Sequence, residues 1–270
     1  MGALAWTGGD GPGEFPYPVD VLILLPPSEG KTQRRRGRPL DLAPLSFPKL
    51  TPMRADVIDA VGTVSEGPDA HEVLGVSPNL VEEVARNTRL RTAPSAPAGE
   101  VYSGVLYDAL DLASLDTAAR RRATRSIVVQ SALFGAVRLS DRIPAYRLSM
   151  GVNLPGIGPL ATAWRPWLDP VLTEAAGRGV IVDCRSSTYA AAWAPSGTLA
   201  QRWVQIAVPG ATHMAKHTRG LVARELCASG ASPRTPSALR DALADRFDVE
   251  LAEPARPGKP WTLKATARAS

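Results

Sequence analysis

The chain has 270 residues, 44% of them hydrophobic and 21% charged, with 31 Lys and Arg against 26 Asp and Glu for a formal net charge of +5. That length and balance fit a globular chain of one large domain or two small ones, with a sizeable core and a tilt towards anionic partners. No run nears the ~18 apolar residues of a membrane helix, and neither the two cysteines nor the three histidines show the spacing of a zinc centre.

Residues 1–19 are rich in Gly and Pro. They carry neither the basic and apolar regions of a secretory signal nor the Ser or Thr of a myristoylation pattern, and they read as a poorly ordered extension ahead of a single domain over 20–268. Val21 to Leu25 is a continuous apolar run ended by Pro26 and Pro27, the pattern of a central strand covered on both faces. Gly30-Lys31-Thr32 follows. It matches the end of a phosphate-binding loop, but Leu25 stands where the earlier glycine belongs, which argues against a nucleoside-triphosphate loop. What survives is a lysine at the carboxyl end of the first strand, where open α/β sheets place ligands. Arg34, Arg35, Arg36 and Arg38 come next, either as a solvated loop or as one wall of an anion-binding face.

Thr51-Pro52 opens a helix to about Val64, and Ser77-Pro78 begins a second with Leu80, Val81, Val84 and Leu90 inward. Residues 92–99 read as a loop. Tyr102 and Tyr107 have a structural role as the default. Asp116 is placed to cap the helix that carries Arg120, Arg121 and Arg122, and Ile127 to Val129 is a second strand.

The stretch from Ser131 to Pro166 holds the densest set of unusual residues. Ser131 to Val137 is small and apolar, and Arg138, Asp141 and Arg142 then mark a turn. Tyr146 to Met150 alternates as a strand does. Arg138 and Arg147 either pair with a carboxylate such as Asp141 or face a cleft, where a guanidinium fork suits phosphate. Leu154-Pro155-Gly156-Ile157-Gly158-Pro159 has the form of the hairpin in a helix-hairpin-helix motif. Its glycines, Gly156 and Gly158, let backbone approach a phosphate, and the helix that follows points its positive end there. A plain turn before an amphipathic helix explains the same residues.

That helix runs from Pro159 to about Ala176. Val180 to Val182 is a third strand, and it ends in Asp183-Cys184-Arg185-Ser186-Ser187-Thr188-Tyr189. No GxSxG accompanies the serines, so a serine hydrolase is a poor fit. Trp203 to Val208 is a fourth strand. Thr212 through Cys227 reads as a helix with Lys216 and Arg219 on one face and Arg224 nearby. A last helix spans Ser237 to Phe247, and Asp248–Leu251 with Trp261–Ala265 form a closing hairpin. The two thiols, Cys184 and Cys227, read as buried and reduced, with one disulfide as the alternative.

Taken together, LLPPSEGKT, VYSG, SALFGAVRLSDRIPAYRLSMG, DCRSSTY and AKHTRGLVAREL resemble the YaaA peroxide-stress family, in order, from Val21 to about Lys264. The resemblance implies a cytoplasmic bacterial protein that limits damage by hydrogen peroxide. It also implies a compact mixed α/β fold with a basic cleft that binds duplex or distorted DNA. Family positions carry over to Lys31, Thr32, Arg138, Asp141, Tyr146 and Arg147, to Ser186 and Tyr189, and to Lys216, Arg219 and Arg224. Asp183-Cys184-Arg185 departs from the Asn-Leu-Ala common in the family, and the N-terminal extension has no counterpart in its pattern.

Two functions follow as expectations. In one, Lys31, Arg138, Arg147, Lys216 and Arg219 line a cleft that holds DNA phosphates without reading sequence, helped by the hairpin at Gly156 and Gly158, in a monomer that needs no cofactor or metal. In the other, the same cleft is the active site of an enzyme on a nucleotide, nucleobase or phosphorylated metabolite. Lys31 or Arg147 then holds the anion, Asp141 or Tyr146 moves a proton, and Ser186 and Tyr189 stand by. An open groove favours the first and an enclosed pocket of ~300–1,000 Å³ the second. Iron sequestration lacks a His/carboxylate ligand cluster.

Overall fold

Leu22–Leu25 (β1) is buried on both faces because all four of its side chains are apolar, and the fold is built outward from it. The computed structural model describes residues 20–209 and 212–268; the extension expected over residues 1–19 lies outside them. Six more strands complete one sheet: Ile127–Ser131 (β2), Gly135–Arg138 (β3), Ile181–Asp183 (β4), Trp203–Ala207 (β5), Phe247–Ala252 (β6) and Trp261–Ala267 (β7). Their order is β6-β7-β5-β4-β1-β2-β3. The five inner strands are parallel, and β6 and β3 close the edges antiparallel. This is the mixed α/β sheet covered by helices that the sequence predicts. Among the described residues no helix is long and apolar enough to cross a membrane.

The topology fixes where a ligand site can form. The chain leaves β1 for β2 on one side and leaves β4 for β5 on the other. Connections that diverge from two neighbouring strands open a crevice at their carboxyl ends. Lys31 follows β1 into that crevice, and the Arg185–Tyr189 segment follows β4.

Helix Leu160–Ala175 buries Leu160, Trp164, Leu168, Val171, Leu172 and Ala175 at helical spacing. Its internal Pro166 and Pro170 fall on the exposed face, where the carbonyls they leave unpaired can bond water. Asp116 caps helix Thr117–Ser126, accepting from the Ala119 N–H at 2.7 Å as the sequence suggests.

Two local expectations are corrected, and a run the sequence marks only as small and apolar takes a definite form. That run, after β2, is a turn and the edge strand β3. Gly135 opens that strand at φ 71°, and a Cβ there would lie 2.5 Å from the Trp164 ring, so only glycine fits. Residues 146–150 form no strand although their burial does alternate. The backbone of Arg147 pairs with a side chain instead: its N–H donates to Asn87 Oδ1 at 2.9 Å and its carbonyl accepts from Asn87 Nδ2 at 2.8 Å. Finally, the hairpin Asn153–Leu154 with Gly158–Pro159 leads into a helix, but residues 144–149 before it carry no helix. The helix-hairpin-helix element is therefore a hairpin followed by one helix.

Candidate functional site

The loop after β1 is stapled before any ligand is considered. Tyr107 Oη donates to the Pro26 carbonyl at 2.8 Å, Ser28 Oγ bonds the Gly30 carbonyl, and the Ser103 N–H donates to Ser28 Oγ at 3.1 Å. Lys31 pairs with Tyr102 as an isolated antiparallel bridge, and the Thr32 N–H donates to the Val101 carbonyl at 2.8 Å. Lys31 thus projects from a fixed backbone. Its Nζ donates to the Ser28 carbonyl at 2.6 Å and lies 4.2 Å from the centre of the Tyr146 ring.

Behind Lys31 is a buried trio of hydroxyls. Tyr146 Oη is 2.7 Å from Ser131 Oγ and 3.1 Å from Tyr102 Oη. Burial pushes the ionisation of both tyrosines upward, so they stay neutral donors and acceptors at any physiological pH. In front of Lys31 opens a cavity of about 510 Å³ whose walls include Thr32, Arg86, Ser103, Tyr146 and Arg147. The Asn87 clamp sets the backbone of Arg147. Its guanidinium meets the Glu29 carbonyl at 3.4 Å and the Glu29 carboxylate at 3.7 Å. Arg86 stands 4.0 Å from Glu83. Both carboxylate contacts are longer than a good hydrogen bond, which leaves the guanidinium forks able to take a phosphate.

The electrostatics converge on Lys31. Burial, then repulsion from Arg147 and Arg86 against the pull of Glu29, lowers its pKa from 10.5 to about 7. The π face of Tyr146 works the other way by favouring the ammonium. The two tendencies leave an amine close to its titration point near neutrality. Tyr189 sits beside this group: its hydroxyl bonds the backbone of Met150, and burial, with Tyr146 close by, raises its ionisation.

Four of the residues singled out from sequence therefore meet at one cavity, Lys31, Thr32, Tyr146 and Arg147, with Tyr189 nearby. The others lie elsewhere. Arg138 is buried, its guanidinium against the Phe47 ring and bonded to the Arg125 carbonyl. Asp141 is an anchor of the turn after β3, accepting from the Ser46 N–H and hydroxyl and from the Arg138 N–H, and burial raises its pKa despite those bonds. Ser186 is exposed at the start of the short helix Ser187–Ala190. Gly156 lies in the turn of the hairpin and Gly158 opens its second strand, with open space beside both. On helix Thr212–Ser229, Lys216 is exposed, Arg219 donates to the Ile206 carbonyl at 3.1 Å, and Arg224 bonds the Leu110 and Asp111 carbonyls at 3.1 and 2.8 Å. The guanidiniums of Arg138, Arg219 and Arg224 hold main-chain carbonyls. A cleft lined by all five expected cations does not form from these positions.

Sequence reasoning missed Arg86, Asn87, Ser103 and Ser131. Arg86 and Asn87 hide at the end of a helix read only for its apolar face. Ser103 lay within the VYSG segment and Ser131 opened the central stretch, but neither stood out as a contact. The departure at Asp183-Cys184-Arg185 resolves into a buried network. Arg185 makes two bonds to the Asp183 carboxylate, at 2.8 and 2.6 Å, donates to the Trp193 carbonyl at 3.0 Å and bonds Gln130 Oε1, while Trp203 Nε1 donates to Asp183 at 2.9 Å. Among the described residues no three His, Cys, Asp or Glu side chains are grouped to hold a metal ion.

The family model described as "Peroxide stress protein YaaA" matches residues 21–252. The UPF0246 protein SCO2297 of Streptomyces coelicolor is 51% identical over 252 residues, covering 90% of this chain and 97% of that protein. The UPF0246 protein CE1889 of Corynebacterium efficiens is 42% identical over 227 residues, covering 82% and 91%. A UPF0246 protein of Corynebacterium glutamicum is 38% identical over 223 residues, covering 80% and 88%.

Proposed function

The chain belongs to the peroxide stress protein YaaA family, and from its pocket we propose that it acts in that setting on a small phosphate-bearing ligand, a nucleotide or a phosphorylated metabolite. The observation that carries this reading is the convergence of Lys31, Arg86 and Arg147 on a cavity of about 510 Å³ beside the loop that follows β1. That volume is in the range of small-molecule sites, and two guanidinium forks with an ammonium suit a phosphate. Leu80, half-buried on the same wall, gives the cavity an apolar patch for the rest of the ligand. Direct peroxide chemistry on a thiol is disfavoured, because burial pushes both Cys184 and Cys227 up to about 12 and keeps them as thiols near neutrality.

Calorimetry with nucleotides and inorganic phosphate tests this. Arg147→Ala should weaken binding about tenfold or more, the loss of one charge-assisted fork of roughly 1.5–3 kcal/mol. Binding that is equal in wild type, Lys31→Ala and Arg147→Ala would sink the reading.

Duplex DNA is the second reading, favoured by one observation. The exposed loop with Arg35, Arg36 and Arg38 runs on directly from Thr32 at the cavity wall, so a longer polyanion has a path past the pocket. A salt titration of duplex binding separates the two. Slopes of several phosphates that fall by about one for each arginine replaced support DNA, whereas weak and unchanged binding leaves the small ligand alone.

A further inference from the structure

We propose that Lys31 captures its ligand covalently, its Nζ condensing with an aldehyde or ketone carbonyl of a phosphate-bearing compound whose phosphate is held by Arg147 and Arg86. The inference rests on the small-ligand reading above and adds the functional group of the substrate and the bond it forms.

The argument begins with how Lys31 is held. Of the five lysines in the chain, Lys49, Lys216, Lys259 and Lys264 are exposed, and Lys31 alone is not. A lysine that served only to attract phosphate would gain nothing from a short bond to a main-chain carbonyl and a seat on an aromatic face, since both restrict it and strip its water. Those constraints do suit an amine that must meet a carbonyl carbon at a set place. Nζ is fixed at 2.6 Å from the Ser28 carbonyl, 4.2 Å from the Tyr146 ring centre and 5.7 Å from that of Tyr102, and it stays on the cavity wall.

The surrounding charges support a nucleophile. Glu29 faces Lys31 from its own loop, Arg86 and Glu83 from helix Val81–Arg86, Arg147 and Tyr146 from residues 144–149, and Tyr102 with Ser103 from the segment bridged to Lys31. Burial and the two arginines bring the ammonium near its titration point at pH 7, so a large share of the amine carries a lone pair there, the usual way a lysine is readied for attack on a carbonyl. The step balances without a further reagent. The Nζ lone pair forms a bond to the carbonyl carbon, the π pair moves to oxygen, and that oxygen takes a proton as nitrogen loses one. The carbinolamine then expels its hydroxyl, with a second proton, as water. Lysine amine and carbonyl become imine and water, and nothing is oxidised or reduced. The Ser103 and Thr32 hydroxyls on the wall are the nearby donors for the oxygen.

Pyridoxal 5′-phosphate serves as a probe because it joins an aldehyde to a phosphate and its imine is visible. The full chain is mixed with it, reduced with borohydride and mapped by mass spectrometry. One adduct is expected, on Lys31, forming faster as pH rises through 7, slowed by inorganic phosphate, and at least tenfold slower with pyridoxal, which lacks the phosphate. Lys31→Arg should remove it with the circular dichroism unchanged, and Arg147→Gln should slow it severalfold. Adducts spread equally over Lys49, Lys216, Lys259 and Lys264, or equal rates with pyridoxal, would overturn the proposal. If Lys31 is unlabelled while phosphate still binds in an Arg147-dependent way, the covalent step alone fails. If Lys31 is unlabelled and no phosphate compound binds, the small-ligand reading fails with it.

Discussion

Two clusters of charge stand at the carboxyl ends of the neighbouring strands β1 and β4, and they differ in one respect. At β4, Arg185 is fully buried and its donors go to Asp183, Gln130 and the Trp193 carbonyl. At β1, Lys31 and Arg147 are half-buried, and they face a cavity with a single strong bond between them, from Lys31 to Ser28. The first cluster is closed and belongs to the fold. The second retains hydrogen-bonding capacity, and it is the one proposed to take a ligand. Charge alone does not mark a site; unspent donors at an accessible wall do.

The comparison breaks most visibly at Arg185. Arg185→Leu leaves the Asp183 carboxylate buried with only Trp203 as a side-chain donor, which should cost about 3–5 kcal/mol in a denaturant melt. A loss under about 1 kcal/mol would mean the closed cluster is not structural. Its pH dependence has a definite sign. Burial alone would raise the Asp183 pKa, but Arg185 and its hydrogen bonds outweigh that and hold it below the usual carboxylate range. The pair therefore stabilises the fold above pH ~4, where the unfolded carboxylate is ionised, and that contribution fades as pH falls towards the depressed folded value. Asp183→Asn should flatten the acid limb of the stability curve.

Next in size is Arg224. It ties the helix Thr212–Ser229 to the end of helix Val105–Leu110 through the Leu110 and Asp111 carbonyls and the Ser114 hydroxyl. Arg224→Ala should lower stability by roughly 1–3 kcal/mol and leave phosphate affinity untouched. A drop in affinity with unchanged stability would return Arg224 to the site.

Lys31 should behave in the opposite sense. Its folded pKa is lowered to about 7, so the folded state binds fewer protons than the unfolded chain between pH 7 and about 10. The cost of seating the ammonium is present in full below 7 and is relieved as pH rises through that window. The wild type should gain melting temperature relative to Lys31→Met as the pH is raised from 7 to 10. Lys31→Met should melt no lower than wild type at pH 7 while losing ligand, the trade between stability and function expected of a site residue. The smallest effect belongs to an exposed pair. Lys264→Ala, which removes the 3.1 Å contact to Glu250, should stay within about 0.5 kcal/mol and change no binding.

Much of this frame is legible in the sequence. The apolar runs at 21–25, 127–129, 180–182 and 203–208 are strands of one sheet, Asp116 is a cap, and Lys31 does leave the carboxyl end of β1. These features are local. A strand interior announces itself by consecutive apolar side chains and a cap by its distance from the first turn, so a window of a few residues is enough.

What the tertiary structure decided is which cations have work left to do. Arg86, Arg138, Arg147, Arg219 and Arg224 carry the same guanidinium, and nothing in their neighbours along the chain separates them. Arg138 and Arg219 each meet a carbonyl 13 residues away and Arg224 one 114 residues away, while Arg147 is turned to the cavity by Asn87, 60 residues off. A guanidinium has five donors and no preference between a main-chain carbonyl and a phosphate until the fold brings one within 3 Å. Sequence supplies the donors; the packing of distant segments determines which of them are already used.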